Sequence, residues 1–278
     1  MTRRKNTHPF FCVQMTIKDK IIWITGASSG IGKALAIEAA KEGAKLILSA
    51  RNKEALLAVQ QLCLQHTPDC QVLPLDLTDT GKLPQLTHEA LGFFKRIDVL
   101  VNNGGISQRS LVEETDLTVD RKIMEVDYFG AVALTKSVLP HMLQQKSGHI
   151  VVISSVTGIF GFPLRSAYAA AKHALHGFFE TLRAEVVNRN VRVTIVCPGR
   201  IKTHISYHAL TKDGKEHGKM DEGQAKGIPA DVCARKILTA VKKGKKEIYI
   251  ARGELVLIYL KRFFPTLFYN IVTKIKPT

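Results

Sequence analysis

Tyr168 and Lys172 stand four residues apart in Ser166-Ala167-Tyr168-Ala169-Ala170-Ala171-Lys172-His173. On a helix that spacing puts both side chains on one face. A phenol titrates near pH 10, so trading protons near neutrality requires a drop of about three units, or about 4 kcal/mol of preferential phenolate stabilisation. A neighbouring ammonium supplies charge of the required sign. Upstream, Ser155 follows the apolar run His149 to Ser154. There its hydroxyl can hydrogen-bond a carbonyl oxygen. The three residues together suit proton transfer to and from an oxygen that alternates between carbonyl and alcohol. A Y-x-x-x-K pair alone occurs in many helices by chance, so its meaning depends on what else the chain carries.

A second site-like feature is the turn Thr25-Gly26-Ala27-Ser28-Ser29-Gly30-Ile31-Gly32. Glycines serve where backbone must approach phosphate oxygens or where a strand packs tightly on a helix. The helix that follows offers free N–H groups and a positive dipole end to a pyrophosphate. Gly26, Ser28, Ser29, Gly30, Ile31 and Gly32 are therefore candidate cofactor-binding residues. The spacing is not G-x-G-x-x-G. A phosphate loop of the Walker type is excluded, because Ile31 holds the place of a required glycine and Ala34 follows Lys33 where Ser or Thr is needed. The next apolar run ends Leu48-Ser49-Ala50-Arg51-Asn52. A carboxylate there would bind a ribose 2′-hydroxyl. Arg51 stands instead, and its planar fork suits a 2′-phosphate. The cofactor expectation is NADP(H).

These residues need elements to position them. Apolar runs at Ile21 to Thr25, Lys45 to Ser49, Val72 to Leu75, Asp98 to Asn102, His149 to Ser154, Val191 to Cys197 and Lys246 to Ile250 alternate with helical patterns such as Ile31 to Gly43. The runs are nearly continuous rather than alternating, as expected of strands buried on both faces. The expected fold class is α/β, a Rossmann-type doubly wound parallel sheet in a single domain with a C-terminal helical extension. Residues 1–16 read as a flexible N-terminal extension, 17–252 as the Rossmann domain and 253–278 as an apolar, basic C-terminal extension. Thr203 to Gly227 is polar, rich in Lys and Gly, and reads as a mobile flap.

Composition limits the alternatives. The 278 residues are 45% hydrophobic, enough to bury a sizeable core, and the formal net charge is +16. That charge favours anionic ligands or surfaces, but no interleaved aromatic motif or known module supports nucleic-acid binding. Five cysteines without C-x-x-C spacing read as a reduced, cytoplasmic set, and no clustered ligands predict a metal site. The basic start lacks the apolar core of a secretory signal. The tail from Gly253 is aromatic, apolar and basic, and Lys261-Arg262 and Pro265 interrupt it. Two readings stay open. One is an interfacial helix pair on an anionic membrane, which would make the protein membrane-associated. The other is a helix packed over the substrate cleft or a subunit interface of a homo-oligomer.

Taken together, Thr25-Gly26-x-x-x-Gly30-x-Gly32, Asn102-Asn103-Gly104-Gly105, Ser155, Tyr168-x-x-x-Lys172 and Pro198-Gly199 resemble the short-chain dehydrogenase/reductase family, in its order and spacing, over roughly residues 17 to 250. Met124 to Thr135 and Arg165-Ser166-Ala167-Tyr168 are similar to the dehydrogenase/reductase member 7 group and its bacterial relatives. The resemblance implies an NADP-dependent oxidoreductase acting on a small carbonyl or alcohol substrate. It implies Tyr168 as general acid, Lys172 as the group that tunes Tyr168 and binds the nicotinamide ribose, and Ser155 as the group that orients the carbonyl. It also implies cofactor contacts from Asp76 and Leu77 at the adenine, Asn103 and Gly104 along the cofactor, and Pro198, Gly199, Ile201 and Thr203 at the nicotinamide. Two residues depart from the family pattern. Gly104 replaces the usual Ala, a mild change. Asp127 replaces an Asn whose backbone holds a proton-relay water, and it adds a carboxylate near Lys172. Activity is expected to survive with an altered pH profile. Phe160, Phe162 and Leu164 lie between Ser155 and Tyr168, and together with the tail they suggest a lipophilic substrate. A cofactor-binding scaffold or regulatory protein with impaired chemistry is the alternative, and Asp127 is its one support.

Overall fold

The computed structural model describes residues 15–275. The expected N-terminal extension, with Cys12, lies almost wholly outside the described residues. The first unit is β1 (Ile21–Thr25), α1 (Gly30–Lys41) and β2 (Lys45–Ser49), followed by α2 (Lys53–Leu64), β3 (Cys70–Val72) and α3 (Leu83–Phe94). Next come β4 (Val99–Asn102), α4 (Leu117–Met124), a π-helical turn at Glu125–Phe129, α5 (Gly130–Gln144) and β5 (Gly148–Ile153). Then follow α6 (Ser166–Val186), β6 (Val191–Pro198), β7 (Ile201–Lys202), α7 (Glu222–Ala225), β8 (Ile228–Pro229), α8 (Ala230–Lys242) and β9 (Glu247–Ile250). The tail forms α9 (Glu254–Phe263) and α10 (Pro265–Val272).

Seven strands form one sheet in the order β3-β2-β1-β4-β5-β6-β9, every neighbouring pair parallel. This is the doubly wound Rossmann order with one strand added. The strand order reverses between β1 and β4, so a crevice opens there at the carboxyl ends of the strands. Side chains alternate across β1. Ile22 and Ile24 join the core on one face, with Leu35, Ala36 and Ala39 of α1 and Ile237 and Val241 of α8. Ile21 and Trp23 join the other face, with Leu134 and Val138 of α5 and Leu175 and Phe179 of α6. Both faces are covered, which is why the strand sequences read as unbroken apolar runs.

Two expectations need correction. The third strand is Cys70–Val72 rather than Val72 to Leu75. The chain stays beside β2 beyond it, with the N–H groups of Leu73 and Leu75 donating to Leu48 O and Ala50 O, and Pro74 between them faces the free edge of the sheet, where no N–H is needed. The segment read as a mobile flap is pinned. Ser206 and Asp221 are buried. Leu210 N donates to Ser107 O and Arg109 N to Leu210 O, both at 2.8 Å. Arg109 Nη2 meets Asp221 Oδ2 at 2.6 Å inside the protein. Polar composition suggested exposure, but here the polar groups satisfy one another.

Candidate active site

At the switch point the glycine turn and the end of β4 touch. Gly26 and Gly30 have positive φ, 62° and 54°. A Cβ on Gly26 would stand 2.8 Å from Gly104 Cα, and one on Gly32 would stand 2.2 Å from Gly26 O. Only glycine fits these positions. Asn103 ties the two loops, its Nδ2 donating to Thr25 O at 2.9 Å and to Gly26 O at 3.2 Å. The Thr25 hydroxyl accepts from Asn103 N and Gly104 N, each at 3.0 Å. Ser29, at the N-cap of α1, makes no side-chain capping bond, and the first turn holds no acidic residue. The leading N–H groups and the positive dipole end of α1 therefore face the crevice unneutralised, a fit for a pyrophosphate.

That crevice is a cavity of about 1750 Å³. It exceeds the roughly 300–1,000 Å³ typical of a single small-molecule site, leaving room for a dinucleotide and a second molecule. Ser28, Ser29, Gly30 and Ile31 line it, with Arg51 at the end of β2 and Asp76 and Leu77 after β3. Gly104, Pro198, Gly199, Ile201 and Thr203 line its other side. Every expected cofactor contact except Gly32 lines the cavity or, like Asn103, both lines it and braces its floor; Gly32 packs behind the turn. Partial burial disfavours charge on Asp76, but hydrogen bonds from the Thr78 N–H and hydroxyl, and nearby Arg51, hold its carboxyl below the usual range.

Ser155, Tyr168 and Lys172 line the same cavity. Ser155 follows β5 and caps a short 3₁₀ turn; its Oγ accepts from Thr157 Oγ1 at 2.9 Å and donates to Pro198 O at 3.4 Å. Tyr168 sits in the first turn of α6. Gln108 supplies that helix end with a partner, its Oε1 accepting from Ala167 N at 2.9 Å. Arg165, just before the helix, has Nη2 3.1 Å from Asp221, and burial with nearby Arg109 pushes its guanidinium down to about 10. Gln108, Arg109, Arg165 and Asp221 thus brace the start of α6. No local pattern marks Gln108, Arg109 or Asp221, because their partners lie far along the chain, and Arg165 stood out only within the Arg165-Ser166-Ala167-Tyr168 resemblance.

Lys172 is buried, its Nζ 5.5 Å from the Tyr168 ring centroid and donating to Ile153 O at 3.1 Å. Its charge faces Asp127 Oδ2 at 3.1 Å. The π-helical turn aims Asp127 inward, and Asp127 Oδ1 accepts from Ile106 N at 2.8 Å. Complete burial pushes the Asp127 carboxyl up, against the pull of Lys172. Burial opposes the Lys172 charge, but Asp127 and Tyr168 outweigh it and hold the ammonium above its ordinary value. Gly105 is part of this arrangement, since a Cβ there would stand 2.9 Å from Asp127 Oδ2. Asp127 is thus a partner of Lys172 through its side chain, a contact the usual Asn could not make with a charge.

Known proteins resemble this chain in sequence and fold. The profile described as short chain dehydrogenase matches residues 20–214. "Dehydrogenase/reductase SDR family protein 7-like" of Drosophila melanogaster is 43% identical over 260 residues, 92% of this chain and 80% of that protein. "Dehydrogenase/reductase SDR family member 7" of Homo sapiens is 41% identical over 264 residues, 93% of this chain and 78% of its own. Among solved structures, levodione reductase superposes with a TM-score of 0.76 at 27% identity, covering 86% of this chain and 98% of that one. A short chain dehydrogenase from Burkholderia cenocepacia in complex with NADP superposes with a TM-score of 0.79 over 94% of this chain and all of its own, and at 23% identity it speaks to the fold alone.

Proposed function

The chain belongs to the short-chain dehydrogenase/reductase family of oxidoreductases, and from that premise we propose that it uses NADP(H) to interconvert a carbonyl and a primary or secondary alcohol on a small, lipophilic substrate. The observation that carries this reading is the convergence of Ser155, Tyr168 and Lys172 on one cavity with the open N-terminus of α1 and with Arg51. When bound, the reduced nicotinamide supplies the hydride. The protein supplies placement, charge and a proton.

In this reading Ser155 Oγ hydrogen-bonds the substrate oxygen and orients it. The Tyr168 hydroxyl gives that oxygen its proton during reduction and takes it back during oxidation. Lys172 holds a positive charge beside the phenol and reaches a ribose hydroxyl. Asp127 keeps Lys172 charged and aimed. Gly26, Ser28, Ser29, Gly30 and Ile31 would cradle the pyrophosphate, Asp76 and Leu77 would flank the adenine, and Asn103 and Gly104 would follow the chain of the dinucleotide. Pro198, Gly199, Ile201 and Thr203 border the nicotinamide. Arg51 selects the 2′-phosphate. The lipophilic preference is supported by α9 and α10, which roof the far end of the cavity. Ile258 and Phe268 are buried there against Val156 and Phe160, and Leu257, Leu260 and Ile271 line the cavity wall.

The test is NADPH consumption with a panel of aliphatic and aromatic ketones and aldehydes. Tyr168→Phe should lower kcat by at least about a hundredfold while leaving NADPH binding intact. A wild-type chain that binds NADPH but turns over no carbonyl would be a cofactor-binding scaffold instead, and would overturn the proposal.

A further inference from the structure

Away from the cavity, on the face of the sheet covered by α6, three side chains from three elements meet. His176 lies one helical turn beyond Lys172, Cys197 is on β6, and Glu247 begins β9. Cys197 Sγ is 3.6 Å from His176 Nε2 and 3.8 Å from Glu247 Oε1. One ligand atom from each residue lies within 4.8 Å of the other two. Nothing in the proposed reaction uses these residues, and their sequence separation hid them from any motif search.

We propose that His176, Cys197 and Glu247 form a binding site for a divalent transition-metal ion, zinc above all. The geometry is close to what that ion needs. Ligands at about 2.0–2.3 Å in a tetrahedron stand roughly 3.3–3.7 Å apart. The Cys197–His176 separation of 3.6 Å already has that value, the Cys197–Glu247 separation of 3.8 Å lies just above it, and the third is within 4.8 Å. The ligand types select the ion: thiolate and imidazole favour zinc over magnesium or calcium. Charge balances as well. A thiolate and a carboxylate together neutralise a dication in a place where Cys197 is fully buried, and the thiol proton leaves to solvent as the S–metal bond forms. The imidazole is presented correctly. His176 Nδ1 lies 3.6 Å from Glu180 Oε1, four residues along α6, while Nε2 lies on the Cys197 side of the ring. A carboxylate behind a ligating histidine is the usual support of such sites. Glu247 and His176 are only partly buried at the sheet edge, so an ion can reach them. Bound there, zinc would clamp α6 to β6 and β9. It would also draw on His176 Nε2, which now lies 3.0 Å from Ser154 Oγ, the hydroxyl that donates to Lys172 O at 3.2 Å.

The experiment uses the full chain without a histidine tag, dialysed against a chelator and titrated with Zn²⁺ alone against a chromophoric competitor. Co²⁺ serves as a spectroscopic probe in a parallel titration. The expected result is one equivalent of zinc, a higher melting temperature on binding, and a thiolate-to-cobalt charge-transfer band. Cys197→Ala should abolish that band. His176→Gln and Glu247→Gln should each weaken zinc at least about tenfold, whereas Cys63→Ala, at another buried thiol, should change nothing. No zinc equivalent in the wild type, or a charge-transfer band that survives Cys197→Ala, would overturn the proposal. Should Cys197→Ala fail to fold, Glu247→Gln at the sheet edge decides: unchanged zinc affinity there also overturns it.

Discussion

At the scale of single residues, the lysine beside Tyr168 faces a buried carboxylate. Asp127 Oδ2 stands 3.1 Å from Lys172 Nζ in a fully buried pocket. That carboxylate is the strongest support of the buried Lys172 ammonium, which burial by itself would disfavour. Removing it makes the Lys172 proton easier to lose. Asp127→Asn should therefore move the limb of the alcohol-oxidation profile governed by loss of the Lys172 proton to lower pH, with kcat at its plateau changed less than about tenfold. The pH dependence of kcat/KM for both proteins checks this; an increase of orders of magnitude in the variant would mean that Asp127 impairs the wild-type site. In the proposed reading Arg51 sets the cofactor choice. Loss of its fork to a 2′-phosphate should lower the NADPH/NADH selectivity of Arg51→Ala by about tenfold to a hundredfold, the worth of one or two charge-assisted hydrogen bonds. An unchanged ratio of kcat/KM values would remove Arg51 from the site. Both residues were legible in the sequence, Asp127 as a departure from a pattern and Arg51 as a missing acid. The ion pair was not, because 45 positions separate residues 127 and 172.

At the scale of elements, β5 holds a buried histidine that ties it to its neighbours. His149 Nε2 lies 2.8 Å from Thr194 Oγ1 on β6, and burial, helped by Arg192, pushes the imidazole down to about 3. In the unfolded chain a histidine takes up its proton near pH 6.5. Between these values the unfolded state binds the extra proton and is favoured by acid. The stability that neutral His149 contributes is complete above about pH 6.5 and is lost as the pH falls toward 3, amounting to about 3 kcal/mol by pH 4. Urea midpoints measured from pH 7 to 4 should fall more steeply for the wild type than for His149→Gln; parallel slopes would contradict the assignment. The elements themselves were largely readable, since strands buried on both faces leave long apolar runs. The exception is β3, whose regular strand lies earlier, at Cys70–Val72, although Leu73 and Leu75 still donate to β2; Pro74 fits there because its missing N–H would face the free edge of the sheet.

At the scale of the whole molecule, the tail decides what the cavity sees. One face of α9 and α10 is packed over it, through Ile258 and Phe268. The other leaves Tyr259, Phe263, Phe264, Leu267 and Tyr269 exposed beside Lys261 and Arg262. Among the described residues no helix is long and apolar enough to cross a membrane. A chain ending at Gly253 should lose the roof, raising KM for lipophilic carbonyls about tenfold or more while small polar carbonyls change little, at roughly 25 cal/mol per Å² of lost apolar contact. Steady-state kinetics with matched substrate pairs checks this. Co-sedimentation of the full and shortened chains with anionic liposomes then separates a membrane-facing outer surface from one that meets a second copy of the chain. Of the two readings the sequence left open for the tail, the cleft-covering one describes its inner face; composition alone cannot assign an amphipathic helix to protein or lipid, since both bury the same apolar stripe.

The α/β class, the family and the candidate set Ser155, Tyr168 and Lys172 were legible in the residues alone, because each depends on local spacing: apolar runs, a glycine turn, one helical turn between two side chains. Tertiary structure alone decided what those residues face. Gln108 at the head of α6, Asp127 against Lys172, Arg109 with Asp221, and His176 with Cys197 and Glu247 are pairings between distant segments. Their geometry is set by where the strands are ordered in the sheet and how α6 lies across it, and no local pattern of residue types carries that information.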